Sequence, residues 1–493
     1  MTDVLFTHSY FLRFDPKEHR AMMPYAPLGT LYAASYLRSK GYSTALFDAM
    51  LAGSETAIVP ALKYHRPRIV VIYDDDFNYL TKMCLSRMRD ASFLMTRIAK
   101  EHGSIVVVHG SDASDHSDRY LGEGADYVLI GEGEQTLAEL VEQLSNGRTP
   151  SFSSINGLAY SHDGSCRRNP KREELHNLDV LPFPAWDLID IGAYRRAWER
   201  RHGYFSMNMV TTRGCPFHCN WCAKPIYGQV YNTRSPENVV DEMLWLARTY
   251  HPYHLWFCDY IFGLKPGWIP RFAQIVHEKG AAIPFKCLAR VDLLLRDEAI
   301  VHLARSGCRS VWVGAESGSQ KILDAMEKGT TVEQIHQAAS LLHRHGIRVG
   351  FFLQYGYPGE TRGDIESTLR MVKECKPDEI GISVSYPLPG TKFYEKVRTH
   401  MGHKRNWFDS QDLDMMFTGE FAPAFYRLLH RVTHKKFRIW QGMDILKHSL
   451  AHPTSLSRYA VRRIAAGAYH ALTLPRLEGR LNASAPPPRP TAG

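Results

Sequence analysis

The chain has 493 residues, of which 44% are hydrophobic and 23% charged, a globular composition with enough length for roughly two to four domains. The net charge of +9 suits nucleic acid, an anionic membrane surface or an acidic ligand, but residues 427–480, with eleven Lys or Arg and two acids, account for the excess. The nine cysteines are too sparse for a small disulfide scaffold. The chain also lacks a signal-like start and any apolar run near the ~18 residues of a membrane span. These features favour a reducing, cytoplasmic location.

Residues 1–147 alternate short apolar runs with helical patterns, which predicts a Rossmann-like α/β domain with a parallel sheet. The predicted strands are residues 4–6, 44–47, 69–73, 105–108 and 127–130. Ligands of such sheets bind at the carboxyl ends of the strands. The polar or small residues expected there include Thr7, Tyr73, Asp76, Gly110, Gly131 and Glu132. Any one of them could be a plain turn residue, but together they indicate a ligand-binding edge.

Residues 148–200 read as a linker because proline and serine interrupt any periodicity. A second alternation fills residues 201–400, with strands predicted at 207–212, 254–257, 285–289, 310–314, 348–353 and 379–384. Six strand–helix units predict a (β/α)6 partial TIM barrel, whose site lies at the carboxyl ends of the strands. Residues 401–480 are expected to form a mostly helical region, and residues 481–493 a disordered tail.

Three cysteines lie within eight residues at the end of the first barrel strand: Cys215, Cys219 and Cys222. Thiolate clusters select zinc or iron–sulfur centres. The next cysteine, Cys258, is distant and isolated, so this group is one ligand short of four. On a four-iron cube, three thiolates leave one iron open, whereas a zinc ion is the alternative occupant.

Several other motifs accompany the triplet. Residues 211–214 lead into it, Trp221 precedes its last cysteine, and residues 314–319, 326–330, 356–361 and 387–391 follow in order. In the first domain, residues 27–29 and 125–134 add to the pattern. Residues from about 3 to 430 together resemble the radical S-adenosylmethionine (SAM) superfamily, in its branch with an N-terminal cobalamin-binding domain.

The resemblance implies a 4Fe–4S cluster on the three cysteines, with SAM chelating the open iron. An electron from the cluster would cleave SAM to methionine and a 5′-deoxyadenosyl radical, which removes a hydrogen from the substrate. The positions that match SAM contacts are Asp259, Arg290, Glu316, Ser317, Gly359 and Glu360. Arg290 suits the SAM carboxylate because guanidinium groups bind carboxylates bidentately. Alternatively, Arg290 pairs with Asp292, Asp259 is a helix cap and Ser317 belongs to a turn.

The first domain departs from the best-known cobalamin pattern. The string Asp-x-His-x-x-Gly, which supplies a histidine to cobalt, is missing: His8 and His19 stand in other contexts. Cobalamin bound without a histidine ligand is the favoured interpretation, and a sheet that has lost the cofactor is the alternative. The three carboxylates of residues 74–76 lie near the corrin, bind a polar substrate edge or are simply solvated.

The sequence therefore predicts a cobalamin-dependent radical SAM enzyme that methylates an unactivated carbon of a small or lipid-like substrate. An oxidative cyclase resembling the anaerobic magnesium-protoporphyrin monomethyl ester cyclases is the alternative, and a non-catalytic cofactor or nucleic-acid binder is a third hypothesis. The resemblance implies an external electron donor such as flavodoxin or ferredoxin, and no nucleic-acid substrate. The basic tail suggests a peripheral membrane contact. Catalytic residues, the substrate and the oligomeric state are not fixed by the sequence.

Overall fold

The computed structural model describes residues 2–145, 151–455 and 457–484. Within these ranges, no helix combines the length and the apolar character needed to cross a membrane.

A seven-stranded sheet with the order β2-β1-β3-β4-β5-β6-β7 forms the first part of the molecule. Its strands are β1 (Val4–Thr7), β2 (Thr44–Leu46), β3 (Ile69–Tyr73), β4 (Ile105–His109), β5 (Tyr127–Leu129), β6 (Leu158–His162) and β7 (Ser165–Arg168). The first five are parallel, and the five predicted strands are confirmed within one residue at each end. In the order 2-1-3-4-5, the crevice at the carboxyl ends of β1 and β3 is the natural ligand site.

The last two strands are antiparallel and add to the edge of this sheet. They come from residues 158–168, which the sequence interpretation placed in a linker. Hydrophobic periodicity missed them because β7 is exposed along its whole length and β6 is buried only in its first half.

Helices cover both faces of the sheet, which explains why its strands are continuous Val and Ile runs. They are α1 (Pro16–Ala21), α2 (Leu28–Ser39), α3 (Val59–His65), α4 (Tyr79–Lys82), α5 (Ser86–Glu101), α6 (Ser111–Asp115), α7 (Ser117–Gly122) and α8 (Gly133–Ser145). Helix α9 (Ile191–His202) leads into the second part of the molecule.

The second part is a parallel half-barrel of six strands. In spatial order they are β8 (Ser206–Met209), β11 (His254–Phe257), β12 (Phe285–Ala289), β13 (Cys308–Glu316), β14 (Arg348–Tyr355) and β15 (Glu379–Val384). The short strands β9 (Thr212–Arg213) and β10 (Asn232–Thr233) pair separately, antiparallel to each other. The mixed α/β architecture with a parallel half-barrel agrees with the predicted fold class.

The half-barrel helices are α10 (Pro236–Tyr250), α11 (Trp268–Glu278), α12 (Val291–Leu294), α13 (Ala299–Arg305), α14 (Gln320–Ala325), α15 (Val332–Arg344), α16 (Arg362–Cys375) and α17 (Lys392–Val397). Ser235 caps α10: its side chain accepts a hydrogen bond from the amide of Asn238, with Pro236 at the first helical position.

Two long helices, α18 (Pro423–Ala451) and α19 (Arg458–Ala483), form a C-terminal hairpin. They approach closely at Gly442 and Gly467, where a side chain on Gly442 would lie 3.3 Å from the Cα of Gly467. The hairpin accounts for the helical region expected after residue 400. Within the tail predicted to be disordered, residues 481–483 continue α19, and residues 485–493 lie outside the described residues.

Candidate functional site

The three predicted cluster ligands lie on the loop between β9 and β10, at the carboxyl end of β8. Gly214 begins this loop with φ +78°, and a Cβ there would lie 2.2 Å from the carbonyl oxygen of Val230. A side chain at this position is therefore excluded on two grounds. Cys215 is buried, Cys219 and Cys222 are partly exposed, and all three are free thiols. In the parts of the chain that the structure describes, no three His, Cys, Asp or Glu side chains converge on a single-ion site.

Two cations lie beside this loop. The Nη1 atom of Arg290 is 3.9 Å from the Sγ of Cys219, and its guanidinium stacks 3.7 Å from the ring centroid of Phe217. Lys328 forms a buried ion pair with Glu316 at 2.8 Å. Burial opposes the charge of Lys328, but Glu316 and the nearby Cys219 raise its pKa above the usual value. Positive charge stabilises thiolates, so the loop has both the donors and the electrostatics that a cluster requires.

Arg290 is held in place by several partners. Its Nε donates to Asp292 at 3.0 Å, and its Nη2 donates to the carbonyl oxygen of Lys328 at 3.0 Å. The local ion pair considered from the sequence is thus present. The Nη1 group that faces Cys219 is the part of Arg290 directed at the loop.

Asp259 is committed to the strand that leads into the loop. Its carboxylate accepts hydrogen bonds from the amides of Thr211 and Thr212, at 2.6 and 2.7 Å, and from both hydroxyls at 3.0 Å. Burial raises its pKa to about 6. These four bonds fix the chain just before the cysteines, so Asp259 positions the loop.

Glu316 lies at a strained point at the end of β13. Its φ is +55°, and the register between β13 and β14 shifts beside it. A Cβ on Gly314 would lie 2.4 Å from the Glu316 carboxylate and 2.5 Å from the Lys328 ammonium. The ion pair therefore lies across the Gly314 backbone, at the barrel mouth. Non-glycine residues in the left-handed region cluster at functional sites.

The remaining three predicted SAM contacts are Ser317, Gly359 and Glu360, and each has hydrogen-bond partners of its own. Ser317 is buried in a turn, where its hydroxyl accepts from the amide of Ser319 at 3.1 Å. Gly359 is exposed and offers its carbonyl to Lys321 at 2.8 Å. Glu360 is fully buried, accepts from the amide of Gly356 at 2.7 Å, and has its pKa raised to about 8 by burial.

At the carboxyl edge of the first sheet, the predicted residues converge. Tyr73 stacks on His109 with ring centroids 3.8 Å apart, and Asp76 accepts from Ser111 at 2.9 Å. Gly110 and Gly131 both have positive φ angles, and Thr7 is buried at the end of β1. Among the described residues of this edge, four buried polar atoms have no partner at hydrogen-bond distance: Asp76 Oδ2, His109 Nδ1, Ser114 Oγ and Glu132 Oε1. Asp76 Oδ2 and His109 Nδ1 face each other at 3.7 Å, and Glu132 Oε1 lies 3.5 Å from Arg213. Buried polar atoms are normally paired, so the edge is suited to a polar ligand.

The carboxylates of residues 74–76 are not solvated, contrary to one of the alternatives drawn from the sequence. They are between 1% and 8% exposed. Asp74 accepts from the amide and hydroxyl of Ser9, and Asp75 accepts from the amide of Gly29 at 3.0 Å. Burial raises the pKa of Asp75 to about 6. His8 is likewise occupied, 2.9 Å from Asp48.

Arg213 connects this edge to the cysteine loop. It lies two residues before Cys215, is 3% exposed, and pairs with Glu134 at 2.6 Å and Glu132 at 3.5 Å. The rings of Tyr32, Phe77 and Tyr227 surround its guanidinium at 5.2–5.9 Å. Sequence reasoning assigned no role to Arg213 or Lys328. Both lie in motifs that it noted, residues 211–214 and 326–330, but their partners are more than ten positions away in the chain.

Residues 209–372 match the model of the radical SAM superfamily. An uncharacterised methyltransferase of Pyrococcus horikoshii is 29% identical over 88% of this chain and 92% of its own length. The anaerobic magnesium-protoporphyrin IX monomethyl ester cyclase of Rubrivivax gelatinosus is 27% identical over 88% of this chain and 77% of its own length.

Two solved structures share the fold. The methyltransferase TsrM of Kitasatospora setae, with cobalamin and a [4Fe–4S] cluster bound, has a TM-score of 0.65 at 20% identity over 80% of this chain and 78% of its own. The cobalamin-dependent enzyme OxsB, with aqua-cobalamin bound, has a TM-score of 0.72 at 17% identity over 97% of this chain and 72% of its own. The similarity extends across both sheets.

Proposed function

Because residues 209–372 form a radical SAM domain, we propose that the chain is a cobalamin-dependent radical SAM enzyme that methylates an unactivated carbon of a small or lipid-like substrate. When bound, the cluster with SAM supplies a carbon-centred radical, and cobalamin supplies a transferable methyl group. The methyltransferase relative and the two structural neighbours support this proposal.

We assign the cluster and SAM to residues of the half-barrel, and cobalamin to residues of the first sheet. Cys215, Cys219 and Cys222 hold the cluster, with Arg290 and Lys328 balancing the thiolate charge. Among the expected SAM contacts we favour Glu316 at the barrel mouth, since its carboxylate lies 2.8 Å from Lys328. Around cobalamin we propose Thr7, Tyr73, Asp76, Gly110, Gly131 and Glu132. Asp76 and Glu132 each carry a buried oxygen with no partner at hydrogen-bond distance.

The observation that carries the proposal is the ion pair between Arg213 and Glu134. Arg213 is two residues from the first cysteine, and Glu134 is three residues from Gly131 at the cobalamin edge. This buried contact supports a placement of the two proposed cofactor sites next to each other. A methyl transfer needs both cofactors on one substrate, so such a placement favours the proposal.

Anaerobic reconstitution tests the proposal. The full chain is loaded with iron, sulfide and hydroxocobalamin, reduced, and assayed for 5′-deoxyadenosine formed from SAM. Wild type should bind both cofactors and cleave SAM, whereas the variant with Cys215, Cys219 and Cys222 all changed to alanine should bind cobalamin without cleaving SAM. SAM cleavage by the triple variant would overturn the proposal.

The cyclase relative favours a second candidate, oxidative ring formation with the same cofactors. SAM labelled in its methyl group separates the two. Label in the product, with the mass gain of one methyl group, supports methylation, and a product that loses hydrogens without gaining label supports cyclisation.

The proposal includes an external one-electron donor of the flavodoxin or ferredoxin type and a cytoplasmic location. It also includes a peripheral membrane contact through the α18–α19 hairpin. On α19, Leu472 is 84% exposed, and Arg476 one turn later is exposed as well, a combination that suits an anionic lipid surface.

A further inference from the structure

The two faces of the half-barrel differ in character. On one face, Phe257 and Phe285 pack against Phe272 of α11, with ring centroids 6.1 Å apart in each case. Side chains alternate along a strand, so Trp256 and Lys286 point to the opposite, concave face. Trp312 and Phe352 lie on that same concave face and are in contact with each other.

On the concave face, Trp312 lies against the backbone of two neighbouring strands. A Cβ on Gly350 would come within 2.3 Å of the indole, and one on Gly381 within 3.3 Å. Phe352 continues the surface, with its centroid 4.7 Å from that of Trp312 and a side chain that is 39% exposed. We call Trp312 and Phe352 on their glycine bed the aromatic floor. Neither glycine has a positive φ, so the space for the indole is what requires glycine there.

The aromatic floor adjoins the proposed SAM site. Trp312 is two residues before Gly314 in β13, and the Glu316–Lys328 ion pair lies across Gly314. The floor and the ion pair therefore occupy consecutive positions on the same face of the same strand. A molecule on the floor lies directly below the mouth of the barrel.

Lys286 is a cation of this face, which also carries the more exposed Arg348 and Glu379. Its ammonium group is 4.7 Å from the ring centroid of Trp256 and 5.3 Å from that of Tyr25, which comes from the first domain. Among the described residues, no carboxylate forms a direct ion pair with it. Burial lowers the pKa of Lys286 to about 8, so the group still carries its charge at neutral pH. A cation held between aromatic rings, without a carboxylate partner, suits an acidic group on a ligand.

We infer that the aromatic floor binds the substrate, and that the substrate is a planar, conjugated ring system carrying a carboxylate or similar acidic group for Lys286. The inference rests on the proposed function, because it names the class of substrate that the proposed enzyme would methylate. Flat rings gain from stacking on an indole, whereas a flexible alkyl chain does not. A ring stacked on the floor would also cover the exposed part of Phe352.

Binding of three probes to the full chain tests the inference without any cofactor: 1-pyrenebutyrate, its uncharged analogue 1-pyrenemethanol, and decanoate. Fluorescence anisotropy reports the pyrenes, and decanoate is tested as a competitor. Wild type should prefer pyrenebutyrate, with decanoate a poor competitor. Trp312→Ala should weaken both pyrenes by about tenfold or more. Lys286→Met should weaken pyrenebutyrate only.

Two further variants test the role of the indole, and a third serves as the control. Gly350→Ala retains every aromatic ring but lifts the indole, so it should reproduce the loss seen in Trp312→Ala, and Trp312→Phe should retain part of the binding if the alanine variant is poorly folded. Tyr469→Ala, which removes a 62% exposed ring on α19, is the control and should bind like wild type.

The outcomes separate this inference from the proposed function, because SAM cleavage is measured independently on the reconstituted protein. Undiminished pyrene binding by Trp312→Ala and Gly350→Ala, or no pyrene binding by a wild type that cleaves SAM, would overturn the inference alone. If Lys286→Met lowered the affinity for both pyrenes equally, the part of the inference that gives the substrate an acidic group would be refuted. The expected binding pattern in a chain that does not cleave SAM would leave the inference standing and the enzymatic proposal refuted.

Discussion

Replacing Arg213 by methionine should destabilise the protein far more than an ordinary ion-pair deletion. The guanidinium is 3% exposed and is the cation that faces both Glu134 and Glu132. Its charge holds the pKa of Glu134 below the usual value despite burial, whereas burial prevails at Glu132 and raises its pKa. Methionine preserves the packing against the surrounding rings and removes only the charge and the hydrogen bonds.

The size of the destabilisation follows from the two buried carboxylates that remain without their cation. A buried carboxylate that loses its cation costs about 3–5 kcal/mol, whereas deletion of an exposed pair costs about 0–1 kcal/mol. Arg271 and Glu237 form such an exposed pair at 2.8 Å, with side chains 46% and 47% exposed, so Arg271→Met is the matched control. Adding Glu134→Gln to Arg213→Met should restore part of the loss, because it removes one uncompensated charge.

Urea unfolding of the full chain, followed by tryptophan fluorescence, measures the four proteins side by side. The same variants are then reconstituted to compare iron content, which should fall in Arg213→Met because Cys215 lies two residues away. A loss no larger than that of Arg271→Met, or a double variant less stable than Arg213→Met, would refute the reasoning.

Three further outcomes are expected. In wild type the free energy of unfolding should fall by about 1.4 kcal/mol per pH unit between roughly pH 4.5 and 8, because the raised pKa keeps Glu360 protonated in the folded state while it ionises in the unfolded state. Glu360→Gln should remove this fall, which urea unfolding at several pH values measures. The exposed Glu366→Gln should leave the slope unchanged. Gly214→Ala should abolish cluster loading, measured as iron per chain, whereas Gly359→Ala, with open space around it, should lose only about 1 kcal/mol of stability and keep its iron. Lys328→Met should leave Glu316 buried without its cation and lower cluster loading severalfold, and unchanged iron content would contradict the assigned role.

The strands and the thiol loop could be predicted because their signals are local. A run such as residues 69–73 is apolar at every position, since helices cover both sides of the sheet. The cysteine spacing lies within eight residues. The β6–β7 pair gave no such signal because its second strand is exposed throughout, so its residues carry no hydrophobic pattern.

The partners of the predicted site residues could not be read from the sequence, because they come from distant parts of the chain. Asp259 matches a SAM-contact position, and its carboxylate accepts four hydrogen bonds from Thr211 and Thr212, 48 and 47 positions earlier. Ser317 is similarly engaged by a turn and by Thr368. A motif gives the type of residue at a position. Which donors and acceptors that residue contacts depends on the folded arrangement of the strands.

The contacts before Cys215 indicate why the cysteine loop is built as it is. Asp259 fixes Thr211 and Thr212, Glu134 fixes Arg213, and Gly214 has no room for a side chain, so four consecutive positions are held by both parts of the molecule. Beyond this stem, Asn220 fixes the loop between Cys219 and Cys222: its amide donates to the carbonyl oxygen of Met326 at 3.1 Å, and its side chain donates to that of Ala325 at 2.8 Å. Arg290 adds a contact with Cys219 at 3.9 Å. The loop is thus fixed before its first cysteine and again between its second and third. The distance between the two proposed cofactor sites is then set by Arg213 before either cofactor binds.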